Sequence, residues 1–128
     1  MKEITVIAKD RLGLLADVCD KLGSERVNID SIAAEAANGT AVIRLTVDHA
    51  ARAKEVLEKA SFQVTEPGML VVRLADRAGE LAKISRELAA GQVDVRNVRI
   101  LSKENGTTVL GMEVNNHETA KAVLKRYA

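Results

Sequence analysis

The positions of apolar residues predict the order strand, helix, strand, strand, helix, strand in the first half of the chain. A short β-branched segment at residues 4–8 predicts the first strand. Apolar residues at helical spacing then form one predicted core stripe, which consists of Leu14, Leu15, Val18, Cys19 and Leu22. The remaining elements are strands at 27–36 and 41–47, a helix with Ala53, Val56, Leu57 and Ala60 on one side, and a short strand at 62–65. Asp48 is the predicted N-cap of this second helix.

The second half of the chain repeats the first, and this repeat is the most informative feature of the sequence. The segment DRLGLLA at residues 10–16 returns as DRAGELA at 76–82, and VNIDSI at 27–32 aligns with VDVRNV at 93–98. Asn-Gly pairs at 38–39 and 105–106 each predict a two-residue hairpin turn, because both turn positions favour positive φ.

The elements of the second half follow from the same pattern. Strands are predicted at residues 69–74, 93–101 and 108–114, and a helix is predicted at 81–88. Asn115 and Glu118 have the spacing of a capping pair, which predicts a last helix reaching Tyr127. No residues then remain for a second fourth strand.

This element order defines the expected fold class. The order βαββαβ is the ferredoxin-like plan, in which two helices cover one face of an antiparallel sheet. The sequence therefore predicts an α+β protein of two tandem ferredoxin-like modules, at residues 1–66 and 67–128, with the second module lacking its last strand. Modules of this size bury little apolar surface alone, so the two are expected to share an interface.

Composition narrows the possible functions of the 128-residue chain. Its formal net charge is +1 and its aromatic content is 2%, which argues against nucleic-acid binding by a basic face or by base stacking. Cys19 is the only cysteine, so no intrachain disulfide, zinc site or iron–sulfur cluster is expected. We expect no cofactor. We also expect no membrane segment, because no apolar run approaches the ~20 residues of a membrane span. Residues 1–4 lack the apolar core of a signal peptide, which favours a cytoplasmic protein.

Catalysis is unsupported by any arrangement of residues in the sequence. No Ser/His/Asp set or pair of carboxylates can be placed together, so the protein is expected not to be an enzyme. An acylphosphatase-like enzyme stays open as an alternative, because Arg11 and Asn28 could serve as its loop arginine and strand asparagine. The glycine-rich phosphate cradle that such an enzyme needs is missing.

The loop before the first helix carries a family resemblance. Asp10, Arg11, Leu12, Gly13, Leu14 and Leu15 form a segment that resembles the DRPGLL-type signature of the ACT domain family. Asp76 to Leu81 form a weaker second copy, and Val27-Asn28-Ile29 is similar to the opening of the family's second strand. The sequence departs from the family where Leu12 and Ala78 replace proline, Glu80 replaces an apolar residue and Asp94 replaces asparagine.

The resemblance implies a small-molecule-sensing module, most often for amino acids, that works at an interface between two such modules. A helix N-terminus offers unpaired N–H groups to a carboxylate, and Gly13 and Gly79 lie where these helices begin. Asp10 and Asn28 could then hold the ammonium group. The expected ligand-binding residues are Asp10, Arg11, Leu12, Gly13, Leu14, Leu15, Asn28, Ile29, Asp76, Gly79, Glu80 and Leu81. A structural interpretation stays open, in which Asp10 and Asp76 are N-caps and the glycines permit close helix–sheet packing.

Two functions follow from these observations. The first is a free-standing regulatory protein that binds an amino acid or similar metabolite and acts on a separate metabolic enzyme. The second is a non-catalytic interaction module, because a missing last strand would leave the strand at residues 69–74 with an open edge. A homodimer or larger assembly is expected in either case.

Overall fold

Alternating apolar and polar residues form an antiparallel sheet in each half of the chain. The computed structural model describes residues 2–127, which divide into a first unit that ends at Gly68 and a second unit that begins at Met69. The first unit consists of β1 (Lys2–Lys9), α1 (Leu14–Ser24), β2 (Ile29–Ala37), β3 (Thr40–Val47), α2 (Ala50–Lys59) and β4 (Gln63–Val64). The second unit consists of β5 (Leu70–Ala75), α3 (Glu80–Ala90), β6 (Val95–Glu104), β7 (Thr107–Val114), α4 (His117–Val123) and a 3₁₀ turn (Lys125–Tyr127). The predicted α+β class and tandem ferredoxin-like βαββαβ plan are confirmed.

The sheet of the first unit has the strand order β2-β3-β1-β4. β3 pairs antiparallel with both β1 and β2, so it lies in the middle of the three long strands. Alternate residues of β1 and β3 face the helices, and the core consists of buried side chains such as Ile4, Val6, Ile43, Leu45, Val18, Leu22 and Leu57. Ile7 and Val42, which pair with each other on the opposite face, are buried as well, so the apolar residues of β1 and β3 are not confined to alternate positions.

The predicted core stripe of α1 is wrong at Leu15 and only partly correct at Cys19. The helix packs through Leu14, Val18 and Leu22, which recur every four residues and are all buried. Leu15 lies about 100° further round the helix and leaves 45% of its surface exposed. Cys19 is half-buried.

The fourth strand of the first unit is real but short. Gln63 and Val64 pair with Ile7 and Val6 of β1. The N–H of Thr5 donates to Thr65 Oγ1 at 3.0 Å, and this hydrogen bond extends the pairing past the end of β4.

The second unit has the strand order β5-β7-β6 and no fourth strand within residues 69–127. Its core is the counterpart of the first, with Val72, Ile84, Leu88, Leu110 and Met112 buried. The last helix ends at Val123 rather than at Tyr127, because the chain tightens into the 3₁₀ turn. Tyr127 packs against this core from that turn.

Both predicted hairpin turns are confirmed by their backbone conformation. Asn38 and Gly39 have φ values of 53° and 82°, and Asn105 and Gly106 have values of 48° and 80°. Each turn also accepts a hydrogen bond from the loop that precedes the first helix of its unit. The N–H of Asp10 donates to the Gly39 carbonyl at 2.9 Å, and the N–H of Asp76 donates to the Gly106 carbonyl at 2.9 Å.

The predicted N-caps of the second helix in each unit lie one residue too early. α2 has His49 at the N-cap, and α4 has Asn116, whose side chain accepts from the Thr119 N–H. Asp48 and Asn115 have another partner: each side-chain oxygen accepts a backbone N–H from the start of the second strand, that of Asn28 at 3.0 Å and that of Asp94 at 2.9 Å. These polar residues therefore fix the strand start and do not cap the helix.

Candidate functional site

A cavity of about 330 Å³ lies in the first unit between the loop before α1 and the β2–β3 hairpin. We call it the first corner; it is lined by Asp10, Arg11, Leu12, Gly13, Leu14, Leu15, Ala16, Ala34, Glu35, Ala36, Ala41 and Ile43. All six expected ligand-binding residues from Asp10 to Leu15 are therefore brought together. The lining is mostly apolar, with charged side chains only from Asp10, Arg11 and Glu35.

The N-terminus of α1 opens onto the first corner without a side-chain cap. Gly13 is the N-cap, with φ of 83° and no side-chain hydrogen bond to the helix. Within residues 2–127 the backbone N–H groups of Leu15 and Ala16 have no acceptor, while the N–H of Asp17 donates to the Gly13 carbonyl at 3.0 Å. The structural interpretation that Asp10 caps this helix is wrong, because the helix begins at Leu14, four residues after Asp10, and has Gly13 as its N-cap. Two donors at the positive end of the helix dipole are thus free for an anion.

Gly13 is required by its backbone conformation rather than by close packing. A Cβ built on Gly13 would meet nothing within 4 Å, but its positive φ strains any residue that has one. We therefore expect Gly13→Ala to lower the free energy of unfolding by about 1–2 kcal/mol in a urea titration. The control is Gly23→Ala within α1, where a Cβ also meets nothing and φ is not positive. That substitution is expected to stabilise the protein by about 0.5–1 kcal/mol; equal effects at both positions would contradict this explanation.

The charged groups of the first corner leave one carboxylate free. The Arg11 guanidinium donates to Asp17 Oδ2 at 2.8 Å. This hydrogen bond lowers the pKa of Asp17, and the positive charge of Lys21 lowers it further. Glu35 pairs with Arg44 at 2.9 Å. The carboxylate of Asp10 has no hydrogen bond or ion pair within residues 2–127, so it is the available anion at this corner.

The equivalent second corner, in the second unit, holds a smaller cavity of about 170 Å³. It is lined by Leu74, Ala75, Asp76, Arg77, Glu80, Leu81, Ile100, Lys103, Thr108 and Leu110. Gly79 is the N-cap of α3 with φ of 88°, and it is not among the lining residues. Asp76 does not cap the helix and pairs instead with Lys103 at 3.3 Å, while Arg77 pairs with Glu80 at 2.6 Å.

The structure does not bring Asn28 and Ile29 to the first corner. Ile29 pairs with Val47, which also pairs with Lys2 at the start of β1, whereas Asp10 follows the end of β1. The length of β2 therefore separates Asn28 from the loop within one unit. Within one unit the structure therefore does not bring the side chains of Asn28 and Asp10 together.

Sequence reasoning missed the far wall of the first corner. Ala34 and Ala36 of β2 pair with Ile43 and Ala41 of β3, and all four line the cavity. The signal was present in the sequence, since alternate positions of β2 opposite a buried strand are alanines, which leave space beside the helix.

The part of the chain that the structure describes contains neither a metal-binding cluster nor a membrane-spanning helix. No group of three or more His, Cys, Asp or Glu residues there could hold a metal ion. None of the helices described is both long enough and apolar enough to cross a membrane.

The sequence and the fold can be compared with known proteins. Residues 2–54 match the family model of the ACT domain. The match lies within the first unit of the chain, which is therefore similar to an ACT domain. No curated protein matches the sequence.

Several solved structures of low sequence identity are similar to the chain over most of its length. A protein from Bacteroides thetaiotaomicron is 20% identical with a TM-score of 0.51, over 98% of this chain and 86% of that one. The regulatory subunit of aspartate kinase from Thermus thermophilus, in its ligand-free form, is 19% identical with a TM-score of 0.47, over 96% and 87% of the two chains. The acetolactate synthase small subunit from Thermotoga maritima is 12% identical with a TM-score of 0.43, over 98% and 84%. Of these three, the first has a TM-score above 0.5, and at 20% identity it supports the fold alone.

Proposed function

We propose that the protein is a non-catalytic regulatory protein that binds a free amino acid at the first corner. The observation that carries this proposal is the combination found there: an apolar cavity of about 330 Å³, two unpaired helix N–H groups and an unpaired Asp10 carboxylate among the residues described. The ACT domain resemblance implies the same class of ligand for this loop.

The first corner offers a partner to each part of an amino acid. The N–H groups of Leu15 and Ala16 suit the carboxylate, because they are donors at a helix N-terminus. The Asp10 carboxylate suits the ammonium group through a charge-assisted hydrogen bond. The apolar wall formed by Ala34, Ala36 and Ile43 suits an aliphatic side chain. We therefore favour valine, leucine or isoleucine as the ligand.

Assembly into a homodimer is part of the proposal. Large apolar residues around the first corner are exposed: Leu12 fully, Leu15 by 45% and Ile32 by 44%. A second copy of the chain that covers these residues would remove apolar surface from water and close the mouth of the cavity. A ligand that binds the dimer more tightly than the monomer stabilises the dimer by this difference in affinity, typically ~1–3 kcal/mol. The proposed target of this regulation is a separate enzyme in the cytoplasm.

Thermal denaturation of the full chain with each of the twenty amino acids tests the proposal. A ligand at 100 times its dissociation constant adds about 2.7 kcal/mol to the free energy of unfolding. We expect at least one of valine, leucine and isoleucine to raise the Tm by several degrees, with the corresponding D-amino acid as the control. The amino-acid assignment is wrong if none of the twenty changes the Tm.

The interaction module stays the second candidate, because the same exposed residues Leu12, Leu15 and Ile32 favour a protein partner without any ligand. A dimer in light scattering together with no effect of any amino acid would favour this function. The geometry speaks against the acylphosphatase-like alternative, since Arg11 is paired with Asp17 and Asn28 lies at the other end of β2.

A further inference from the structure

We propose that the second corner is closed by the chain's own side chains, with Lys103 taking the place of the ligand's ammonium group. Each chain then binds one ligand molecule, in its first unit. This inference rests on the proposed function of the first corner and goes beyond it, because the internal repeat alone would predict two equivalent sites.

The first difference between the corners is the partner of the loop arginine. In the first unit Arg11 pairs with Asp17 on α1, which is not among the residues that line the cavity. The residue equivalent to Asp17 in α3 is Lys83, which repels Arg77. Arg77 pairs instead with Glu80, whose side chain is only 16% exposed and which replaces the apolar Leu14. The exchange of two helix residues thus moves an ion pair to the second corner.

The second difference is the lysine on the hairpin. Ala36 faces Ala41 across β2 and β3, and at the equivalent position of the second unit Lys103 faces Thr108 across β6 and β7. The Lys103 ammonium lies 3.3 Å from Asp76, the counterpart of the unpaired Asp10. The carboxylate proposed to receive a ligand's ammonium is therefore already neutralised at the second corner.

The third difference is the space for a side chain. Ala34 opposite Ile43 is replaced by Ile100 opposite Leu110, and both members of each pair line their cavity. The larger residue accompanies a cavity of about 170 Å³ in place of about 330 Å³. Charge and volume thus both disfavour a ligand at the second corner, although the N–H groups of Leu81 and Ala82 lack acceptors within residues 2–127 as their counterparts do.

Amide NMR of the ¹⁵N-labelled full chain tests this inference without a known ligand. The probe is 3-methylbutan-1-amine, which has an ammonium group and a branched apolar tail but no carboxylate. We expect saturable shifts of the Leu15 and Ala16 amides in the wild type and none of the Leu81 and Ala82 amides. Exchanging the lining residues should reverse this: A34I/A36K should lose the shifts at the first corner, and E80L/I100A/K103A should gain them at the second.

Control variants separate these effects from charge and folding. Lys121→Ala removes an exposed positive charge from the same unit and should leave the wild-type pattern unchanged. Lys103→Ala alone, at an exposed position, serves if the triple variant loses its dispersed spectrum, and it should also produce shifts at Leu81 and Ala82.

The inference is overturned by wild-type shifts at both corners, by their absence at both, or by a second corner that stays silent in every opened variant that folds. Failure of the proposed function has a different signature. Shifts confined to the first corner, with no amino acid affecting the Tm, would contradict the amino-acid assignment and support the difference between the corners.

Discussion

Replacement of Asp10 by asparagine is expected to weaken binding of the amino acid by about 10- to 100-fold and to change the free energy of unfolding by less than about 0.5 kcal/mol. The affinity falls because the neutral amide loses a charge-assisted hydrogen bond to the ligand's ammonium. Stability is preserved because the Asp10 carboxylate has no hydrogen bond or ion pair within residues 2–127, and its backbone N–H bond to Gly39 does not depend on the side chain. Calorimetric titration and urea denaturation measure the two quantities.

The matched control for this substitution is Asp76→Asn. It removes the equivalent carboxylate of the second corner, together with its ion pair to Lys103, and should leave affinity unchanged. A loss of affinity in Asp76→Asn equal to that in Asp10→Asn would show that the corners act alike. A large loss of stability in Asp10→Asn would assign a structural role to this carboxylate.

Truncation of Leu22 to alanine is expected to lower the free energy of unfolding of the first unit by about 2–5 kcal/mol. The side chain is fully buried in the core beneath α1, so the substitution removes apolar contacts and leaves a cavity. Urea denaturation followed by circular dichroism measures the loss. The control is Asp20→Ala, which truncates an exposed side chain of the same helix and should change stability by less than about 0.5 kcal/mol. A similar loss in both variants would contradict the assignment of the core.

Most of the fold could be predicted because its signals are local. The alternation over residues 43–47 and the two Asn-Gly turns each depend on residues close in sequence, and the internal repeat supports these predictions within the chain itself. The predictions were wrong where a residue fits a local sequence pattern but makes a different contact in the folded structure. Leu15 has helical spacing but lies off the packed face, and Asp48 has the composition of an N-cap but hydrogen-bonds to Asn28.

The candidate site was predictable only in its loop. The segment from Asp10 to Leu15 is contiguous, so its motif survives in the sequence and its residues line one cavity. The walls contributed by Ala34 and Ile43 depend on strand register, which a one-residue shift would reverse. The position of Asn28 depends on the direction in which β2 runs. The closing of the second corner depends on the ion pair between Lys103 and Asp76, which are far apart in sequence. These are properties of tertiary structure that spacing along the chain does not record.

Asp10 joins the cavity to the hairpin through two different groups. Its backbone N–H holds the Gly39 carbonyl at the tip of the β2–β3 turn, while its side chain is free beside the cavity. Any rearrangement that accompanies filling of the cavity is therefore transmitted to the end of β2, whose residues are almost all exposed. Under the proposed function, a protein that docks along β2 would meet a surface that changes when the cavity is filled, so that the amount of bound metabolite would set the strength of the association.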